Sequence, residues 1–203
     1  MRTNTLSKGE KTRQQIVEAA AAIFNQRGYE GSTLSALMEA TGLEKGGIYR
    51  HFSGKEELAA EAFDYMWQTA RDVRLAGLNG LTGVAWLKTY ISNFVNHRSP
   101  VAGGCPILNT AIDADDGNPM LRMKVTKALK SWRCRIRTVI ENGMESGEIR
   151  SGVDARAAAT LIVATLEGAL MMSRIERTYE PLREVQRHLN SYINRELAAQ
   201  TVN

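Results

Sequence analysis

Residues 45–55 of this chain concentrate side-chain donors, cations and glycines in one short stretch. The residues concerned are Lys45, Gly46, Gly47, Tyr49, Arg50, His51 and Lys55. Two adjacent glycines near the start of a short helix cost about 1 kcal/mol each relative to alanine, so their presence indicates that the backbone approaches a partner closely. Donors, cations and bare backbone also suit a groove lined by phosphates. The stretch therefore predicts an anion-facing surface.

Two short helices joined by a tight turn are predicted to carry this surface. The first helix has apolar residues at helical spacing, and the pattern stops at Gly42. These apolar residues are Leu34, Leu37 and Met38. Thr33 is the predicted N-cap of this helix. The second helix is predicted to run from about Lys45 to Phe52, with Leu43 and Ile48 facing inward.

The residue order around these helices is distinctive. From Thr33 to Phe52 the chain reads TLSALMEATGLEKGGIYRHF, preceded by F-x-x-x-G-Y from Phe24 and followed by S-x-K-E-E-L from Ser53. This frame resembles the signature of the tetracycline-repressor (TetR/AcrR) family of bacterial transcription regulators. The chain departs from the family at Glu44, where Ser is usual. Glu is a poorer N-cap than Ser, and its charge is unfavourable near DNA.

The resemblance implies specific contacts with a double-stranded DNA operator. The implied base-edge residues are Lys45, Gly46 and Gly47, and the implied phosphate-contacting residues are Thr33, Tyr49, His51 and Lys55. Three alternatives stay open for the Arg50 side chain: contact with a base, contact with a phosphate, or exposure to solvent. The resemblance also implies a homodimer whose recognition helices lie about 34 to 36 Å apart in successive major grooves, and which a small-molecule effector releases from a near-palindromic operator.

Composition sets the broad class. The 203 residues carry a formal net charge of +4, which permits nucleic acid as a partner without requiring it. Four prolines and long stretches with a period near 3.6 predict an all-α fold. The only cysteines are Cys105 and Cys134, and the amino terminus lacks a charged-then-apolar signal, so a cytoplasmic location is expected. The apolar run over 157–172 is predicted to be too short to span a membrane.

We expect two domains. Residues 1–54 are predicted to form a three-helix helix-turn-helix DNA-binding domain, and residues 55–203 a larger helical ligand-binding and dimerisation domain. The supporting first helix is expected to start near Thr12 or, one turn earlier, at a capping box of Ser7 and Glu10, and to end at Gly28. A linking helix is expected over 55–78.

Capping signals also locate the later helices. Ser53 and Glu56 are predicted to form the capping box of the linking helix, and Asn118 is predicted to cap the longest helix. Asp154 is predicted to cap the penultimate helix, and Pro181 is predicted to start the last one. These two helices carry more apolar surface than one subunit needs to bury, which favours a subunit interface; the resemblance implies a four-helix bundle with their copies.

A ligand pocket is expected in the larger domain. Its candidate lining is Trp67, Trp86, Tyr90, Phe94, Trp132 and Met171, with Asn109, Thr110 and Glu167 as orienting groups. For each aromatic residue, core packing is the alternative. Cys105 lies in Gly-Gly-Cys-Pro at a predicted helix start, where amides can lower the pKa of a thiol; the alternatives are an electrophile or oxidant sensor and a buried inert thiol. Cys134 is a possible partner thiol.

Other chemistries are not supported by the residue spacing. Asp113, Asp115 and Asp116 suggest a calcium loop, but the glycine comes one place early and Lys124 takes the twelfth position, so we predict no metal. The cations of residues 124–137 are interpreted as a solvated face, with an anionic ligand as the alternative. No catalytic motif or cofactor site is predicted. A protein-binding adaptor is the competing non-enzymatic class, and it would lack salt-dependent DNA affinity.

Overall fold

The structure is a computed structural model that describes residues 7–97 and 99–200. The helices are α1 (Lys8–Gly31), α2 (Leu34–Thr41), α3 (Lys45–Tyr49), α4 (Lys55–Leu75), α5 (Gly83–Asn96), α6 (Pro106–Ala114), α7 (Pro119–Glu145), α8 (Ala155–Glu176) and α9 (Glu180–Tyr192), followed by a π-helical turn over Ile193–Leu197. The predicted all-α class is confirmed.

The helices divide into two compact units. Among the described residues, the first unit contains those up to residue 70 together with residues 100–126, and the second contains those of 71–99 and those from residue 127 onward. Helices α4 and α7 therefore contribute residues to both units. Helix α6 and the loop before it belong with the amino-terminal helices.

Helix α1 begins at the earlier of its two predicted starts. Ser7 Oγ accepts from the Glu10 amide at 3.3 Å, and the Glu10 carboxylate accepts from the Ser7 amide at 2.8 Å. The pKa of Glu10 is held below its usual range, first by a hydrogen bond between its carboxylate and the Ser7 side chain and then by the bond from the Ser7 amide. Thr12 lies inside the helix and donates to the Lys8 carbonyl. The predicted end at Gly28 is a bend with φ of 73°, after which α1 continues to its last residue.

Helix α3 is shorter than predicted, because it ends at Tyr49 and not at Phe52. The His51 amide bonds to the Ile48 carbonyl, three residues back, at 3.0 Å, which closes the helix with a tighter turn. Phe52 is then 2% exposed. Burial of this ring takes the chain out of the helical path before α4 begins.

The predicted capping box of Ser53 and Glu56 is wrong. The carboxylate of Glu57 accepts from the Ser53 amide at 2.6 Å and from the Ser53 hydroxyl at 2.7 Å. Glu56 accepts instead from Asn118 Nδ2 at 2.7 Å. Since α4 begins at Lys55, two residues after Ser53, it is Glu57 that faces back toward Ser53.

Other helix boundaries follow local signals. Asn118 and Asp154 are confirmed as N-caps. A side-chain oxygen of each accepts a hydrogen bond from a backbone amide of the first turn at 2.9 Å. Helix α4 ends at Leu75 and not at Leu78, because Gly77 follows with φ of 72°. Such left-handed residues end helices, and glycine adopts the conformation at low cost.

Each unit has an apolar core. The largest buried side chains of the first unit include Ile16, Leu37, Ile48, Leu58, Phe63 and Leu121, and those of the second include Leu87, Ile91, Ile136, Ile140 and Ile149. In the second unit α8 packs on α9.

Helix α8 extends beyond the apolar run over 157–172 at both ends, and by length and composition alone the whole helix is long and apolar enough to cross a membrane. Of its most apolar window, 44% is buried inside the protein. Ile162 and Leu166, for example, are fully buried. The apolar character of α8 therefore serves packing within the second unit, while part of its surface stays exposed.

Candidate nucleic-acid interface

Helices α2 and α3 form a helix-turn-helix. Thr33 is confirmed as the N-cap of α2, because its Oγ1 accepts from the Ala36 amide at 3.2 Å. Gly42 ends α2 with φ of 65° and turns the chain toward α3. Leu37 and Ile48 are each 1% exposed. The two helices therefore bury one apolar side and leave the other to solvent.

The predicted contact residues lie on the surface of this motif. Thr33, Lys45, Gly46 and Arg50 are exposed, and Gly47, Tyr49, His51 and Lys55 are half-buried. A Cβ added at Gly46 would meet no atom of the described residues within 4 Å, and one added at Gly47 would touch only the Leu43 side chain, at 3.4 Å or more. The packing of the described chain thus gives no reason for glycine at position 46.

Glu44 is the N-cap of α3, and its side chain makes no capping hydrogen bond among the described residues. Its carboxylate is exposed beside the surface formed by Lys45 and Gly46. The departure at this position thus leaves α3 without a side-chain cap and places a negative charge next to an otherwise cationic surface.

Tyr29 positions one of the predicted phosphate-contacting residues, a role that the sequence did not reveal. Lys55 Nζ lies 4.4 Å from the centroid of the Tyr29 ring, a cation–π geometry. The pKa of Tyr29 is raised, first by burial of the phenol and then by the charges of Glu56 and Glu30 and by the nearby Tyr49. The phenol therefore stays neutral and its ring supports the ammonium group.

Arg13 ties α1 to the start of α4, directly after the helix-turn-helix. Its guanidinium pairs with Glu57, at 3.1 Å, and with Glu61. It also lies 4.5 Å from the centroid of the Phe52 ring. The two hydrogen bonds from Ser53, with a smaller contribution from Arg13, hold the pKa of Glu57 below its usual range. The end of the motif is therefore held by a charged and aromatic contact network.

A second network joins α1 to the loop before α6. Asn25, 3% exposed, donates through Nδ2 to the carbonyls of Ala102, at 2.9 Å, and Gly104, at 3.3 Å. Asn109 donates to the carbonyls of Asn25 and Gly103, both at 2.8 Å. Gly103 has φ of 118°, and a Cβ there would lie 2.6 Å from the Asn25 carbonyl oxygen. This close approach explains the first glycine of Gly-Gly-Cys-Pro.

Asp113 completes the bend in α1. At Gly28 the helical path is interrupted, and the Tyr29 amide donates to Asp113 Oδ2 at 2.6 Å. The Ser32 hydroxyl donates to the Gly28 carbonyl at 2.5 Å. Asp113, which the sequence suggested only as part of a rejected calcium loop, therefore satisfies a backbone donor at the entry to α2.

The candidate ligand residues fall into different parts of the chain. In the second unit Trp86 and Tyr90 stack at 5.0 Å between centroids, and Phe94 and Trp132 stack at 5.8 Å. Arg74, which the sequence did not reveal, lies 4.5 Å from the Phe94 centroid and 4.8 Å from that of Trp132. The remaining candidates of this unit are Glu167, which is half-buried, and Met171, which is exposed.

Trp67, Cys105 and Asn109 belong to the first unit. Asn109 is part of the network with α1 described above, and Trp67 is half-buried on α4. Cys105 is the N-cap of α6 and is 1% exposed, whereas Cys134 is exposed in the second unit. Neither cysteine forms a disulfide within the described chain.

A compact helical unit with a tight turn, a short exposed helix and flanking cations defines a helix-turn-helix DNA-binding regulator. Residues 16–62 match the sequence profile described as bacterial regulatory proteins, tetR family, and residues 83–189 match the profile described as tetracyclin repressor-like, C-terminal domain. The chain belongs to the TetR family of transcriptional regulators. The resemblance found in the sequence is thereby confirmed, and the family consists of DNA-binding regulators and not of enzymes.

Several relatives match this chain over most or all of their own length. A TetR transcriptional regulator from Chloroflexus aurantiacus J-10-FL is 47% identical, with a TM-score of 0.92 over 96% of this chain and 100% of that chain. A TetR-family regulator from Cytophaga hutchinsonii is 34% identical, with a TM-score of 0.90 over 98% of this chain and 100% of that one. The HTH-type transcriptional repressor DhaR of Mycobacterium sp. (strain GP1) is 26% identical over 84% of this chain and 86% of its own.

Proposed function

We propose that this chain is a dimeric, ligand-responsive repressor in the cytoplasm. It binds a near-palindromic double-stranded DNA operator and releases it when a small-molecule or electrophile inducer binds. The observation that carries the proposal is the exposed glycine at position 46, which the packing of the described residues does not require. DhaR, a relative along most of both chains, is named as a repressor, which supports repression as the direction of control.

In this proposal residues 1–54 read the operator. Lys45, Gly46 and Gly47 approach base edges, where bare backbone allows the helix to sit deep in the major groove. Thr33, Tyr49, His51 and Lys55 contact phosphates, and Arg50 contacts either a base or a phosphate. The Thr33 hydroxyl accepts from the Ala36 amide and can still donate its proton outward, so capping and phosphate binding are compatible.

Residues 55–203 supply dimerisation and effector binding in this proposal. Helix α8 exposes large apolar side chains that its own chain leaves uncovered: Leu161, Met171, Met172 and Ile175. They recur along the helix at spacings that keep them on a common side, so a second copy of α8 can cover them in a twofold interface. Ile175, 81% exposed, has the most area to bury.

We propose the effector site within the second unit. Trp86, Tyr90, Phe94 and Trp132 stack in pairs and are buried, so a ligand must part the rings to reach their apolar faces. Arg74, against two of the rings, is a cation that can orient an anionic or polar ligand there. Glu167 and Met171 belong to the same unit. A ligand that binds one arrangement of the dimer better than another shifts the population away from the DNA-bound state. An electrophile inducer would instead act on Cys105 after a local opening, because the thiol is buried.

The decisive experiment is the selection of genomic DNA fragments by the purified protein, followed by titration of the selected duplex at several salt concentrations. We expect two protomers per duplex, an inverted repeat and an affinity that falls steeply with salt. A protein that retains no duplex at low ionic strength would refute DNA reading and favour the adaptor class.

Dimerisation is tested separately with Ile175→Glu. The charge should disrupt the proposed interface, shift the protein to a monomer in sedimentation, and weaken operator binding. Ile112→Glu is the matched control, because Ile112 is 73% exposed on α6, away from α8 in the sequence, and should leave the dimer intact. An Ile175→Glu variant that stays dimeric would exclude α8 as the interface.

A further inference from the structure

The second unit contains an open groove between α7 and α8 with a volume of about 560 Å³. It is lined by Lys130, Arg133, Cys134, Arg137, Arg156 and Thr160. We propose that this groove binds a small organic anion that carries two or more phosphate groups. The proposal concerns a site other than the aromatic residues of α5, and it does not depend on the proposed function.

The positive charges that line the groove are not balanced by acidic residues in the lining. Four of its six lining residues are cations and none is a carboxylate. Arg137 pairs with Glu141 at 3.3 Å, whereas Lys130, Arg133 and Arg156 form no ion pair within the described chain. Like charges at helical spacing destabilise a helix. An anion in the groove would turn this repulsion into attraction.

Arg133 also has an unused donor. Its Nε is shielded from solvent, and no described residue accepts a hydrogen bond from it. A shielded donor without an acceptor costs free energy, and an anionic oxygen in the groove is a group that can satisfy it. The groove therefore combines excess charge with unmet hydrogen-bonding capacity.

The chemistry of the lining suits phosphate. Three of the cations are arginines, whose planar forks match the oxygens of phosphate in two-point hydrogen bonds. Arg156 and Thr160 add a guanidinium and a hydroxyl from the first turns of α8, whose terminal amides are already capped by Asp154. Four cations around one groove favour a ligand with clustered negative charges over a single phosphate.

The size and position of the groove select a small molecule. Its volume lies in the range of small-molecule sites, roughly 300 to 1,000 Å³, and a concave site of this kind does not admit a duplex. A second copy of the chain is also unsuitable, since a twofold contact centred on the groove would oppose its cations to their own copies. Of the exposed apolar residues of α8, Met171, Met172 and Ile175 lie toward its other end, whereas Leu161 follows Thr160 directly, so the groove adjoins one end of the proposed dimer face.

Cys134 provides a direct readout of occupancy, because it lines the groove and is exposed, whereas Cys105 is buried. The test is the rate of Cys134 alkylation by neutral iodoacetamide, located by mass spectrometry, with increasing tripolyphosphate at constant ionic strength. Calorimetry of the same titration gives the Kd and stoichiometry. We expect saturable protection with one tripolyphosphate per chain, and much weaker protection by inorganic phosphate.

Substitutions localise the site. Arg156→Ala and Arg133→Ala should each raise the Kd for tripolyphosphate about tenfold, because each removes charge-assisted hydrogen bonds. Arg135→Ala is the matched control, since Arg135 is an exposed cation of α7 outside the lining, and should change the Kd by less than about twofold. Equal affinities for adenosine triphosphate and tripolyphosphate would assign recognition to the phosphates alone, and tighter nucleotide binding would assign it to the organic group as well.

Three results would overturn the proposal. The first is the absence of saturable protection at millimolar tripolyphosphate. The second is an equal loss of affinity in Arg135→Ala and Arg156→Ala, which would indicate unspecific attraction to a basic helix. The third is stronger protection of Cys134 by a duplex than by tripolyphosphate. None of these results bears on operator binding, which is measured independently.

Discussion

Replacement of Gly46 by alanine separates the stability of α3 from its proposed contact with DNA. The added Cβ would meet no atom of the described chain within 4 Å, so the substitution causes no internal clash. Alanine is favoured over glycine in a helix by roughly 0.5 to 1 kcal/mol. For a chain of this size that gain corresponds to an increase in Tm of about 1 to 4 °C. The free protein should therefore become more stable.

The same methyl group should weaken operator binding. If the backbone at Gly46 approaches base edges closely, a methyl group must push α3 out of the groove and lengthen every hydrogen bond made beside it. We expect a loss of at least about tenfold, the equivalent of one good base contact. Fluorescence anisotropy with the selected operator measures this loss, and thermal unfolding of the same preparation measures the stability.

Gly9→Ala is a closely matched control. Gly9 is the second residue of α1, as Gly46 is the second residue of α3, and a Cβ there also meets no described atom within 4 Å. Both substitutions should raise the Tm, and only Gly46→Ala should weaken operator binding. Unchanged operator affinity in Gly46→Ala would refute the close approach of this backbone to DNA.

Three further substitutions address the interface and its support. Glu44→Ser should raise the Tm by supplying the missing cap of α3, worth about 1 kcal/mol, and should tighten DNA binding by removing a negative charge, whereas Glu44→Gln should gain only the affinity. Tyr49→Ala should weaken binding to all duplexes alike and flatten the salt dependence; a change in sequence preference alone would remove Tyr49 from the phosphate contacts. Gly28→Ala should cost about 2 kcal/mol or more in unfolding, because the residue is left-handed and a Cβ would collide with Asp113. Combining it with Asp113→Ala should cost less than the sum of the two, and strict additivity in chemical denaturation would exclude the steric explanation.

The sequence predicted those features of the fold that depend on neighbouring residues. Thr33, Asn118 and Asp154 were recognisable as N-caps because a capping oxygen and the amide that it accepts are two or three residues apart. Gly42 was recognisable as a helix end because glycine adopts positive φ at low cost. The helix-turn-helix, built entirely from such local signals, was therefore predictable in type and nearly in extent.

Features that join distant parts of the chain were not predictable. Asn25 reaches the carbonyls of residues 102 and 104, and Asp113 accepts from the Tyr29 amide across more than eighty positions. A single sequence gives no measure of which of its many polar side chains will meet. The capping partner of Ser53 was predicted wrongly because α4 begins two residues after Ser53 and not directly after it, which exchanges Glu56 for Glu57.

Local helix signals and long-range contacts together determine the position of the helix-turn-helix. Local caps determine that α2 and α3 form, but the direction in which they leave α1 depends on the bend at Gly28. That bend removes a helical hydrogen bond, and the Tyr29 amide is satisfied only because Asp113 of α6 accepts from it. Asn25, less than one turn before the bend, is fixed by the loop that leads into α6. The orientation of the predicted DNA-reading surface relative to α1 is therefore set by residues 102–113, which lie outside the helix-turn-helix in sequence but within the same compact unit.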